Sequence, residues 1–218
     1  MKKKKYNLSC LIFMALCCDM GIFVKKLISP ATNIITEALH IPGGIGTNFS
    51  IMFILIAAVL CDYKMSATLM SLVQSLIAIV IGTVGSMGML APIGYVIPGL
   101  VIDIVLLLSK KTDIMKVRTL WDMEAKRLGN IDAKTLEDMK VEKRGVEKVE
   151  TMVIANGLAG VAAALSTNII IFRLSGLALF LYLSVAMTSG VICGIIGYQV
   201  VKGLSHRIFF QSEKTKGM

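Results

Sequence analysis

Residues 49–81 read FSIMFILIAAVLC, then Asp62-Tyr63-Lys64, then MSATLMSLVQSLIAIVI. If the three polar residues form a turn, the chain crosses a membrane twice here. If they sit inside one long helix it crosses once, and every later loop changes side. The chain around this stretch is 56% hydrophobic and 17% charged, with a mean hydropathy of +0.77. A soluble domain of 218 residues has no interior large enough for that much apolar surface.

Charge decides the question. A helix spanning the hydrocarbon core needs about 17 to 25 residues, and the apolar blocks 8–24, 46–61, 65–81, 90–108, 152–172 and 176–201 supply six candidates. The second is short and reaches adequate length only by including Gly46 to Asn48. With six spans, 20 basic residues fall on one side: Lys2 to Lys5, Lys64, those from Lys110 to Lys148, and those of the tail. Only Lys25, Lys26 and Arg173 fall on the other. With five spans the large basic loop would face away from the basic amino terminus, against the tendency of lysine and arginine to stay on the cytoplasmic side. The sequence therefore predicts an all-α integral membrane protein, a six-helix transmembrane bundle with both termini and the charged 109–150 loop in the cytoplasm. The formal charge of +9 then reports orientation and not a nucleic-acid partner.

The loops carry further expectations. Four lysines before the first apolar run imitate a secretory signal, but Lys25, Lys26 and Pro30 follow it without a small-x-small cleavage pattern, so the run reads as a retained span. The outer connection 30–46 ends in Ile41-Pro-Gly-Gly-Ile-Gly46, dense enough in helix breakers to bend over whatever lies beneath or simply to connect two spans. In the inner loop Ile114, Val117, Trp121, Ala125 and Leu128 recur at three- and four-residue intervals, one apolar stripe on a basic helix. Such a helix can lie along the anionic inner leaflet with Trp121 at headgroup depth, dock on a cytoplasmic partner, or stand as half of a solvated hairpin whose second helix is capped by Asp132.

No P-loop, H-E-x-x-H or G-x-S-x-G is present, and the two histidines and five scattered cysteines make no metal-ligand spacing. Neither an enzyme nor a metal or other cofactor is expected, and the cysteines read as small core residues. What remains are polar groups within the spans, costly in lipid and so reserved for ligands or specific helix contacts. Asp19, Gln74, Asn168 and Tyr182 lie in the middle or outer half of their spans and are the candidates for one outward-facing cavity. Asp103, near the inner end of its span, reads equally as a ligand group or as a structural ion pair with Lys110 or Lys111. Asn156 and Gln199 read as interhelical hydrogen-bonding groups. Small residues four apart form close-approach faces in four spans: Cys17 and Gly21; Ala67, Ser71 and Ser75; Asn156, Gly160 and Ala164; Ala186, Gly190 and Gly194. Such faces serve packing within the chain or across an interface.

The stretches Met65-Ser-Ala-Thr-Leu-Met-Ser-Leu-Val-Gln-Ser-Leu, Gly82-Thr-Val-Gly-Ser-Met-Gly, Ile97-Pro-Gly-Leu-Val-Ile-Asp103 and Ser189-Gly-Val-Ile-Cys-Gly-Ile-Ile-Gly197 complete the pattern. Between Gly46 and about Leu204, the inner loop apart, the chain resembles the substrate-binding S component of energy-coupling factor vitamin transporters. The nearest likeness is to members of the hydroxymethylpyrimidine or thiamine-precursor type. The resemblance implies a multi-pass receptor in a prokaryotic plasma membrane that captures a small vitamin or precursor from outside. It implies a lid at Pro42, Gly43 and Gly44, and partnership with a coupling transmembrane subunit and two ATPase subunits. The face at Cys17 and Gly21 would then meet the coupling subunit. This sequence departs from the family at Asp19, where the first helix usually carries a second alanine after Ala15, at Gln74, where related receptors often carry an acid, and in the length of its inner loop. The readings from other classes are a self-sufficient small permease and a membrane scaffold recruiting a cytoplasmic partner.

Overall fold

A computed structural model describes the backbone over residues 8–38, 45–61, 63–82, 90–124 and 133–216, and side chains over 8–31, 46–61, 63–82, 92–109, 149–171 and 173–204. Within these residues all regular structure is helical: α1 (Leu8–Ala38), α2 (Ile45–Cys61), α3 (Ser66–Val80), α4 (Ala91–Glu124), α5 (Ala133–Thr167) and α6 (Gly176–Lys216). A single π-helical segment, Asn168–Phe172, extends α5. Four stretches are long and apolar enough to cross a membrane: Leu8–Ala31, Pro92–Ser109, Val149–Ile171 and Gly176–Leu204. The chain is a membrane protein on that ground. The two remaining helices, α2 with 17 residues and α3 with 15, are about 25 and 22 Å long at about 1.5 Å per residue, short of a core about 30 Å thick.

α2 tolerates its shortness because it meets almost no lipid. Ile51, Met52, Ile54, Leu55, Ile56, Ala57 and Ala58 are all buried, as expected of a helix apolar on every side. The other helices wrap around it, in the packing order α1, α3, α4, α5, α6. Cross-contacts fix the directions. Cys61 meets Cys10 at the end we call lower, while Gly46 meets Ser29 at the upper end. Ser71 faces Gly99, and Thr151 bonds Ser109, so α3, α4 and α5 also alternate. The polarity of a soluble fold is inverted here. Leu16, Phe23, Leu76, Leu107, Phe180 and Ile192 point outward, whereas Asn48, Ser50, Gln74, Asp103, Asn156 and Asn168 are buried.

Close backbone approach holds the bundle together. A side-chain carbon on Gly190 would lie 2.9 Å from Asn156 O and from Gly157 Cα, and one on Gly194 2.8 Å from Val153 Cα. The small-residue faces of spans five and six are therefore spent on each other, and Asn156 Nδ2 adds a bond to Gly190 O at 2.8 Å. The third-span face at Ala67 and Ser71 likewise receives Gly99 of α4. Cys17, Cys18, Cys61 and Cys193 are buried free thiols, core residues as their positions in apolar blocks predicted.

The charged segment is helical on both sides, as its apolar stripe predicted. α4 continues unbroken past Ser109 to Glu124, and α5 is already helical from Ala133, long before its apolar stretch begins at Val149. The helix carrying Ile114, Val117 and Trp121 is thus continuous with the apolar stretch of α4, while Ala125 and Leu128 lie outside the described residues. Asp132 lies outside the described residues.

Candidate functional site

The residues singled out from sequence divide among separate surroundings. Gln74 is buried where α1, α2 and α3 meet: its Nε2 donates to Ser50 Oγ at 2.7 Å and to Cys18 O at 3.3 Å. Gly21 makes this junction possible, since any side-chain carbon there would stand 2.8 Å from Gln74 Nε2 and 3.2 Å from Ser50 Oγ. Cys17 and Gly21, expected on a face toward a coupling subunit, are thus turned into the bundle. Asp19, expected in the cavity, is exposed on the opposite side of α1. The lid residues Pro42, Gly43 and Gly44 lie outside the described residues.

Asn168 serves the α5–α6 hairpin. Its Oδ1 accepts from Leu174 N at 2.8 Å and its Nδ2 donates to Leu174 O at 3.3 Å, so one amide stands in for a backbone partner across the turn. Arg173 takes a left-handed backbone at φ 49° and Gly176 another at 61°, which lets three residues reverse the chain. Tyr182 packs nearly two turns into α6 against Ala164 and Ala186, with its hydroxyl paired to Thr167. Both residues belong to the upper end of the bundle, where the sequence placed them, but in a cluster apart from Gln74.

Asp103 is engaged by a neighbouring helix; the side chains of Lys110 and Lys111, its expected ion-pair partners, lie outside the described residues. Its Oδ1 accepts from Ala67 N at 3.2 Å, and its Oδ2 accepts from Thr68 N at 2.7 Å and Thr68 Oγ1 at 2.6 Å. These are first-turn amides of α3, which begins after Met65 without any side-chain cap of its own. α4 thus lends α3 an N-cap, and the buried carboxylate meets the positive end of the helix dipole.

Three polar residues that sequence reading passed over complete the upper end. Asn48 Nδ2 donates to Ala186 O at 2.8 Å and to Ser189 Oγ, and its Oδ1 lies against Gly160. Ser50, two residues on, faces the other side of α2, toward Gln74. Lys25, counted above only as a topological charge, donates to Tyr95 Oη at 2.8 Å and lies 4.4 Å from that ring's centre. Lys25 and Tyr95 are half-buried. Asn48 and Ser50 fell within the second expected span, at its short and least certain start, and were not singled out there. Their signal was two hydrophilic residues just ahead of a wholly apolar run.

Hydrogen-bonding groups from α1, α3 and α6 thus gather near the upper end of α2, while its residues from Ile51 to Cys61 belong to the hydrophobic core. Gln74 and Asn48 commit their amide NH2 groups to helix contacts, and the Lys25–Tyr95 pair at the same end is half-buried. Among the described residues no group of three His, Cys, Asp or Glu side chains could hold a metal ion. Compared with known families, curated proteins and solved structures, the chain finds no match.

Proposed function

We propose that this chain is the substrate-capturing receptor of an energy-coupling factor type transporter, a six-span protein of a prokaryotic plasma membrane. Its upper end is external, and its termini and the 109–150 segment are cytoplasmic. It takes up a small vitamin or precursor from outside without altering it, and passes it on through a coupling transmembrane subunit and two ATPase subunits. The reading rests first on the sequence resemblance. The structural observation that supports it is a group of buried polar side chains from several helices near the start of α2, Asn48, Ser50 and Gln74, with the half-buried Lys25–Tyr95 pair at the same end of the bundle. The ligand-facing groups are Lys25 and Tyr95, with Gln74 setting the floor between α1 and α3.

Three measurements test this. Purification of the tagged chain in mild detergent should recover a coupling subunit and two ATPases. Titration with pyrimidine- and thiazole-type vitamins should show saturable binding that weakens in Lys25→Met and Tyr95→Phe. Concentrative uptake by liposomes holding this chain alone would reject the receptor in favour of a self-sufficient permease.

A further inference from the structure

The start of α1 and the end of α2 meet at the lower end of the bundle through two cysteines. Cys61, the last residue of α2, is buried and donates its thiol hydrogen to the carbonyl oxygen of Cys10 at 3.6 Å. The two side chains are also hydrogen-bonded to each other. Among the described residues no other pair of thiols is joined in this way: Cys18 donates to Met70 O at 3.5 Å, and Cys17 and Cys193 bond no second thiol. Sulfur atoms already in contact approach bonding distance by rotation about their own side-chain torsions, with little backbone movement. Access differs between the two. Cys10 is half-buried and is the third residue of the apolar stretch that begins at Leu8, whereas Cys61 lies behind it, directly before the polar Asp62-Tyr63-Lys64. A small oxidant arriving at the membrane surface therefore meets Cys10 first, with Cys61 waiting beside it.

We infer that Cys10 and Cys61 are a reversible modification site for hydroperoxides, which join them in a disulfide that clasps the start of α1 to the end of α2. The Cys10 thiol reacts with the hydroperoxide O–O bond to give a sulfenic acid, and its proton leaves with the departing oxygen as the alcohol. The Cys61 thiol then attacks the sulfenic sulfur, forming the S–S bond and releasing water. Two electrons pass in all from the sulfurs to the peroxide. Contact between the thiols makes the second step intramolecular, so it outruns further oxidation of Cys10. The link closes the α1–α2 pair at the end opposite its own connection, and the two helices can then no longer part there. The inference rests on where these helices meet and not on the chain being a vitamin receptor. In the cytoplasmic placement proposed above, the reducing thiol pool keeps the pair open until peroxide appears.

The test exposes the full-length protein in phosphatidylcholine vesicles to tert-butyl hydroperoxide, unfolds it in the presence of a maleimide and maps the thiols by mass spectrometry. Two of the five thiols should be lost, as a Cys10–Cys61 disulfide that dithiothreitol reverses. Cys61→Ser should halt the reaction at the sulfenic acid, which dimedone traps on Cys10, and Cys10→Ser should leave every remaining thiol free. Cys17 is the next thiol near Cys61, yet Cys17→Ser should form the same link as wild type. The wild-type map decides the matter even if a variant fails to fold. Retention of all five thiols would overturn the inference, because the oxidant would not reach the pair. A link from Cys61 to Cys17, or between two copies of the chain, would overturn it by changing the partner. Sulfinic acid on Cys10 of the wild type would do so by showing that Cys61 does not capture the intermediate.

Discussion

Asp103 shows how a buried charge is kept in this bundle. Both its oxygens are occupied by the first turn of α3, so truncation leaves two amides buried without acceptors, at a cost of about 1–3 kcal/mol. Asp103→Ala should therefore lower the melting temperature markedly and Asp103→Asn, which keeps one acceptor, by less. A thiol-reactive dye can follow the transition, because Cys17, Cys18, Cys61 and Cys193 become reactive only when the bundle opens. Melting of Asp103→Ala at the wild-type temperature would remove the cap from this account. Gly21 calls for a second prediction at this scale. A leucine there enters the space of Gln74 and Ser50, so Gly21→Leu should lose about 1–3 kcal/mol through overpacking and weaken ligand binding along with stability. Ala15→Leu, on the exposed side of the same helix, should shift stability by no more than about 0.5 kcal/mol. Were Gly21→Leu to bind ligand normally and fail only in assembly, the inward placement of that face would be refuted.

Among the helices, two glycines separate conformational cost from steric cost. Gly176 has φ +61° and nothing within 4 Å of a would-be side chain, so Gly176→Ala pays only for the left-handed backbone, about 1 kcal/mol. Gly190 is in ordinary helix but pressed against the backbone of α5, which cannot move aside as a side-chain tip can. Gly190→Ala should destabilise the bundle more than Gly176→Ala, and the opposite order would mean that α5 and α6 are not in backbone contact. The long helices yield another test. If α4 keeps its line, Trp121 stands about 18 Å beyond Ser109 at about 1.5 Å per residue. As the chain's single tryptophan, it reports its own depth. Brominated lipids should leave its fluorescence unquenched, whereas a helix lying on the leaflet would place it within reach of the bromines.

For the molecule as a whole the proposed orientation can be read chemically. Ser175 lies in the three-residue turn between α5 and α6 and is exposed, and Asn130 is in the charged segment between α4 and α5. An impermeant maleimide applied to intact cells should label Ser175→Cys and spare Asn130→Cys until the membrane is opened. Labelling of Asn130→Cys from outside would invert the topology and with it the receptor reading. The native thiols do not confuse the result, since four of the five are buried.

Composition and periodicity by themselves determined that the chain is helical and belongs in a membrane, because the need to satisfy every backbone group internally leaves an apolar chain little other choice. They also located the close-packing faces of α3, α5 and α6, since small residues four apart are legible wherever a helix is. Tertiary structure decided what the polar residues do. A lone acid in an apolar run looks the same whether it caps a neighbouring helix, as Asp103 does, or faces outward, as Asp19 does. The two are distinguished only by which side of each helix is covered, and that depends on all the other helices at once. The same dependence hid Asn48 and Ser50, whose partners are more than a hundred residues away in one case and on a different helix in both. Their hydrogen bonds follow from the central position of α2, which local sequence does not encode.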